Sequence, residues 1–336
     1  MILRVWRDGW RRVAAAPAIA ASVFLLTLGA ALPLAAVVRQ SLQAHLGRSL
    51  MAVEAAEHVN YDWWQEYSAQ TTGLGASFSP AIIGFAAVLD NVSGVADGRA
   101  PAFPIALALA CYLAMWAFVT GGIIDRYARQ RRTRAHGFFA ASGVFAVRFL
   151  RLAALAGAFY WWMFAAVHPW LFDEWYTRLT RDLSVERNAF LVRLALYMAF
   201  GLILLLGNLV LDYAKVRAVV EDRRSMVGAL AAALRFVAAR PGRTMGLYAM
   251  NGLVFVALIG VWALVAPGAA RGTGAAMWLG VGAAQAYIAA RLLLKLHGLA
   301  SQTALFQASL AHARYAAAPE PVWPDSPAAE TIARGH

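Results

Sequence analysis

The chain has 336 residues, of which 61% are apolar and 14% charged, against roughly 25% charged in soluble domains, and its 30 Lys and Arg outweigh 18 Asp and Glu to give a net charge of +12. So apolar a composition excludes a disordered chain and disfavours a soluble one, and a single cysteine, Cys111, excludes a disulfide scaffold, a zinc finger and a thiolate-held iron–sulfur cluster. What it leaves is a multi-pass, all-α membrane protein.

A helix needs about 20 mainly apolar residues to cross the roughly 30 Å hydrocarbon core. Residues 1–38 read as a basic N-terminus followed by a first span at 13–38. The basic start resembles an export signal, but its apolar run is too long for a cleaved one, so an uncleaved first helix is expected. Residues 39–101 read as an outer-loop subdomain, in which 41–67 predicts a helix with Leu42, Leu46, Leu50 and Val53 on one face. Glu54, His58, Asp62 and Glu66 fall four apart on a neighbouring face. Glu54, His58 and Asp62 are therefore candidate metal ligands, but the whole row extends over roughly 18 Å and cannot converge on one ion, so a solvated face is the reading adopted. The apolar stretch 78–89 is too short to span and contains Pro80 and Gly84. It is expected to anchor in the interface, dip in re-entrantly or pack on the bundle.

Residues 102–298 hold five further spans, at 103–124, 149–171, 190–211, 244–267 and 274–294, separated by basic loops on one side. Residues 299–336 read as an amphipathic helix and a Pro/Ala-rich tail. With these spans drawn, 22 of the 30 Lys and Arg lie in residues 1–12, 125–151, 214–243 and 291–336, and eight lie on the other side. Acidic residues divide eight and ten, so the first side is net +14 and the second net −2. The positive-inside tendency then places both termini in the cytoplasm of a bacterial inner membrane. The cations border apolar spans, and no nucleic-acid-binding pattern accompanies them, so anionic lipid head groups rather than nucleic acid are the expected counter-charge.

A threefold internal repeat is expected. The second, fourth and sixth spans each leave the membrane through a Tyr followed four residues later by an Arg: Tyr127 and Arg131, Tyr213 and Arg217, Tyr287 and Arg291. Positions i and i+4 share a helix face, so each Tyr is predicted at head-group depth with its Arg one turn beyond. Residues 12–17 also align with 236–241 without a gap, each ending in Pro before a span. An amphipathic stretch lies in each inner loop: Ser225 to Arg240, with Met226, Leu230, Leu234 and Val237 on one face and Ser225 as cap; 137–151, with Phe138, Phe139, Phe145 and Phe149; and 299–315. The architecture predicted is six transmembrane helices as three hairpins, each with a cytoplasmic interfacial helix.

Gly207-Asn208, Asp212-Tyr213-Ala214, Arg217 and the stretch from Ser225 to Pro241 resemble the membrane domain of some glycerophosphodiester phosphodiesterases and related six-helix bacterial proteins. The resemblance covers about residues 100–300 and lacks the catalytic barrel of those enzymes. It implies a membrane module without an assigned reaction.

Enzymatic constellations are missing from the sequence: no G-x-S-x-G, H-E-x-x-H, Walker loop or dinucleotide fingerprint occurs, and no cofactor is implied. His168, near Asp173 and Glu174, reads as an interfacial side chain. Polar residues inside spans carry more weight because hydrocarbon penalises them. Asn208, Asp212, Asn251 and Gln285 are the candidates, with interhelical hydrogen bonding as the first explanation. The leading functional expectation is a non-enzymatic membrane protein that binds anionic lipids or partner membrane proteins through Tyr127, Arg131, Arg132, Tyr213, Arg217, Arg223, Arg224, Tyr287 and Arg291. The alternative is a transporter or carrier with Asn208, Asn251 and Gln285 along its path.

Overall fold

In the computed structural model, residues 1–47, 49–52, 54, 60–78, 93, 94, 97, 98, 103–266 and 274–310 are described. The stretch 79–89, His58 and the tail beyond Leu310 lie outside them. Among the described residues the chain is helical and has no strand: α1 (Ile2–Ala14), α2 (Pro17–Leu46), α3 (Tyr61–Gln70), α4 (Phe103–Arg129), α5 (Ala135–Thr180), α6 (Glu186–Val220), α7 (Met226–Ala239), α8 (Pro241–Val265) and α9 (Gly274–Ser309). Six of these, α2, α4, α5, α6, α8 and α9, are long and apolar enough to cross a membrane. The protein is an all-α, polytopic membrane protein.

The spans outrun the bilayer, and that sets the architecture. At 1.5 Å per residue, the 35 residues of α6 and 36 of α9 reach about 50 Å, some 20 Å beyond the hydrocarbon. The extensions gather at one end with α1, α7, the last turns of α4 and the first half of α5. The described parts of the basic segments 1–12, 125–151, 214–243 and 291–336 lie there, so this is called the basic end. The centre of its core is the second half of α9, which packs against α1, α2, α4, α6 and α8. Leu296, Ala300, Ser301, Thr303, Leu305 and Phe306 are all fully enclosed. The sequence places a boundary near residue 294 and an interfacial helix after it. Instead α9 runs unbroken to Ser309 and is the pillar around which the other helices pack.

The remaining short helices at this end differ in how they join their spans. α1 and α7 each stop at a residue with the same backbone break, Ala16 at φ −140°, ψ 57° and Arg240 at φ −140°, ψ 50°, and Pro17 or Pro241 then opens the span. Proline fixes φ and lacks an N–H, so it starts a helix readily but cannot continue one. α5 has no proline at the equivalent place and runs straight from Ala135 into the membrane. Ser225 caps α7, accepting from the Gly228 N–H at 3.2 Å. The face of α7 that meets the core is Met226, Ala229, Ala233, Phe236 and Val237, whereas Leu234, expected on that face, is exposed.

α1 is a helix where the sequence reading had only a basic flank. Val5, Gly9, Arg12 and Val13 form its buried stripe against α9. A Cβ on Gly9 would lie 2.8 Å from the Ser301 Cβ, so only glycine lets the two backbones approach this closely.

At the other end, the helix expected over 41–67 is not continuous. α2 ends at Leu46, and Asn60 starts α3 by accepting from the Trp63 N–H at 2.9 Å. α3 folds back on α2: the Tyr67 hydroxyl lies 3.1 Å from Ser41 Oγ, and Trp63 Nε1 donates to His45 Nδ1 at 3.3 Å. The i, i+4 row of Glu54, His58 and Asp62 is therefore broken at Asn60, the N-cap between His58 and Asp62. Among the described residues no group of three potential ligands could hold a metal.

Candidate functional site

The basic end is where the polar chemistry collects, and its first feature is a set of interhelical locks. Arg12 on α1 is buried and donates from Nη1 to the Tyr127 carbonyl at 2.9 Å and to Gln307 Oε1 at 2.8 Å, while Nε reaches Asp8 Oδ2 at 3.0 Å. Gln307 Nε2 donates to the Ala128 carbonyl at 3.1 Å. Together they satisfy carbonyls that the last turn of α4 cannot pair within its own helix. Burial disfavours the Arg12 cation and pushes its pKa down, and the charge and hydrogen bond of Asp8 oppose that shift. A second lock joins three helices. Trp6 Nε1 donates to Asn251 Oδ1 at 3.1 Å, Asn251 Nδ2 donates to Ser301 Oγ at 3.2 Å, and the His297 ring lies 2.9 Å from the Trp6 carbonyl and stacks on Trp10 at 4.3 Å.

The second feature is how the acids are used. Asp8 pairs with Arg12, Asp125 with Arg129, Asp212 with Lys215, Glu221 with both Arg217 and Arg223, and Asp222 with Arg148, all within 3.0 Å. Arg217 forms the most elaborate of these. Its Nε and Nη2 grip the Glu221 carboxylate at 3.0 and 2.7 Å, Nη1 donates to the Ala232 carbonyl at 2.6 Å, and the guanidinium lies 5.4 Å from the Phe306 ring centroid. Every described carboxylate at this end is thus committed to a cation inside the protein. Arg4, Arg7, Arg11, Arg132, Arg134, Arg151, Arg224 and Arg243 are exposed, and none pairs with a carboxylate among the described residues.

The third feature is a polar cluster where the helices converge. Asp212 Oδ1 accepts from Lys215 Nζ at 2.8 Å and Oδ2 from Gln302 Nε2 at 3.2 Å, and Asn208 Nδ2 donates to the Tyr248 hydroxyl at 2.5 Å. Beside it on α9, Lys295 Nζ sits 3.4 Å from the Trp116 ring centroid and 5.5 Å from that of Tyr112. One turn away, the Arg291 guanidinium lies 5.6 Å from Tyr287 and 5.8 Å from Phe255.

The residues singled out from sequence separate on this geometry. Tyr127 and Tyr213 are fully enclosed by protein and their hydroxyls have no hydrogen-bond partner among the described residues, so neither ring reaches a head group. Tyr287 is half-buried and stacks on Trp262 at 4.5 Å. Arg217 and Arg223 are spent on Glu221, whereas Arg131, Arg132, Arg224 and Arg291 are at the surface. Asn208 and Asp212 come together in the polar cluster. Asn251 belongs to the α1 lock, and Gln285, half-buried on α9, has no hydrogen-bond partner among the described residues. Asn208, Asn251 and Gln285 therefore share no hydrogen-bond network among the described residues. Lys295 was missed because a single Lys at a span end reads only as charge; its signal is the pair Arg291 and Lys295, four apart with no acid nearby in sequence.

No protein-family model, curated protein or solved structure matches this chain. The resemblance drawn from Gly207 to Pro241 rests on the sequence pattern alone.

Proposed function

We propose that this integral membrane protein binds anionic lipid head groups with its basic end, which faces the cytoplasm of a bacterial inner membrane, and that it catalyses no reaction. One observation carries the reading: among the described residues the carboxylates of that end are all neutralised internally, leaving a surplus of exposed arginines around the point where apolar helices enter the bilayer. Internal pairing leaves the excess charge standing, since none of the described acids at this end remains to quench it. Each such cation near an anionic surface contributes about 1 kcal/mol, and salt screens the attraction. An acidic face on a partner membrane protein would satisfy the same cations, and salt-sensitive copurification of protein instead of lipid would mark that case.

The test uses the purified chain in micelles that mix phosphatidylglycerol and phosphatidylcholine, with bound lipid counted by native mass spectrometry. The wild-type chain is expected to enrich phosphatidylglycerol, and replacing Arg132, Arg134, Arg224 and Arg243 with Gln should remove most of that enrichment. Equal enrichment in the quadruple variant, or enrichment indifferent to salt, contradicts the reading.

A further inference from the structure

Resting on that lipid-binding reading, we infer a discrete phosphate site between α4, α8 and α9, formed by Lys295 and Arg291. The two residues are one helical turn apart, about 6 Å along the axis of α9. Both are exposed, and neither pairs with a carboxylate among the described residues. Like charges at i and i+4 repel each other and weaken a helix, so this arrangement is unfavourable by itself. Lys215 adds a third cation within electrostatic reach of Lys295, and Asp212, the acid in the same neighbourhood, already has both oxygens occupied by Lys215 and Gln302. The local charge around Lys295 and Arg291 is therefore positive even after the internal ion pair is formed.

The walls hold the cations in place. Lys295 is fixed over Trp116 and Tyr112 of α4, and Arg291 over Phe255 of α8 and Tyr287 of α9. Cation–π contacts of this kind orient a cation without neutralising it. An anion seated between the two relieves their repulsion and accepts charge-assisted hydrogen bonds from both. A phosphate fits this chemistry, since the guanidinium can grip two of its oxygens while the ammonium holds a third. Leu109 and Leu113, beside Tyr112 and Trp116 on α4, are exposed at 48% and 55% and add apolar surface next to the cations. That juxtaposition suits a phospholipid with its phosphate on the cations and its chains along α4. A soluble phosphate would use the same cations without the leucines.

The experiment compares Lys295→Gln, Arg291→Gln and Lys295→Arg with an Arg187→Gln control and the Arg132→Gln, Arg134→Gln double variant. Each is titrated with phosphatidylglycerol in micelles, and the most tightly held lipid is followed by native mass spectrometry. The affinity for that lipid should fall about five- to tenfold in Lys295→Gln and in Arg291→Gln, while Lys295→Arg retains it and the Arg187→Gln control, at the exposed opposite end of α6, leaves it unchanged; the Arg132/Arg134 variant reports on the lipids held by the wider basic end. A second arm adds inorganic phosphate to lipid-free protein and reads binding by phosphorus NMR. Phosphate binding that Lys295→Gln abolishes assigns the site to a soluble anion; lipid retention without phosphate binding assigns it to a head group. An unchanged tightest lipid in both Gln variants, with no phosphate binding, overturns the site. If the Arg132/Arg134 variant still loses its weaker, salt-sensitive lipids in that event, the broader reading of the basic end survives.

Discussion

The membrane spans and the basic end are built from the same residue types, yet they solve opposite problems. In α8 none of the most apolar window is buried inside the protein, and Leu253, Val256 and Leu264 face outward. In the second half of α9 nearly every side chain is enclosed, including Ser301, Gln302 and Thr303. Lipid solvates the first region, so its leucines need no protein partner; the second leaves the hydrocarbon, where apolar side chains must bury one another and polar ones must be paired. Helix length decides which residue meets which solvent. Stability is therefore expected to reside at the basic end, with the spans acting as anchors.

This contrast can be broken by substitution, beginning with the largest effect. Phe306→Ala should destabilise the fold by about 3–5 kcal/mol, and Leu264→Ala by far less, when unfolding is followed by denaturant titration in micelles. Arg217→Gln leaves Glu221 buried with one cation fewer and should cost about 3 kcal/mol in the same titration, whereas Arg132→Gln should leave the midpoint unchanged. Gly9→Val forces a branched side chain into the space occupied by Ser301; it should cost about 1–3 kcal/mol and raise hydrogen exchange selectively in residues 2–14. The smallest change sharpens the comparison in the other direction. Tyr213→Phe removes a buried hydroxyl that has no partner among the described residues, so it should be neutral or stabilising by up to about 1 kcal/mol, with lipid binding unaffected. Loss of lipid in that variant would return Tyr213 to the head-group role that its spacing suggested.

Much of the scaffold is legible in the sequence because hydropathy and charge report directly on the bilayer. The six spans, the concentration of cations on one side, the Ser225 cap and the breaks before Pro17 and Pro241 all follow from local chemistry. The position of the core does not. Leu264 and Leu305 carry the same hydropathy, and only the fold shows that one meets lipid and the other protein. The run Ser301, Gln302, Thr303 reads as the polar end of a span, which hides the pillar formed by α9. α1 was legible in principle: Ile2, Val5, Trp6, Trp10 and Val13 recur at helical spacing, but the four arginines among them draw the eye to charge instead. Pairing was equally invisible, since nothing local separates Arg217, which is locked to Glu221, from Arg224, which is exposed and unpaired among the described residues.

The division between lipid-solvated spans and a protein-packed basic end is tested most directly by fluorine NMR of protein carrying fluorotryptophan, in bicelles doped with lipids bearing a nitroxide deep in the acyl chain. The account predicts strong broadening of Trp161 and Trp278, which are 73% and 68% exposed, and a sharp signal from Trp116, which is 4% exposed. Broadening of Trp116 to the same degree as Trp278 would contradict it.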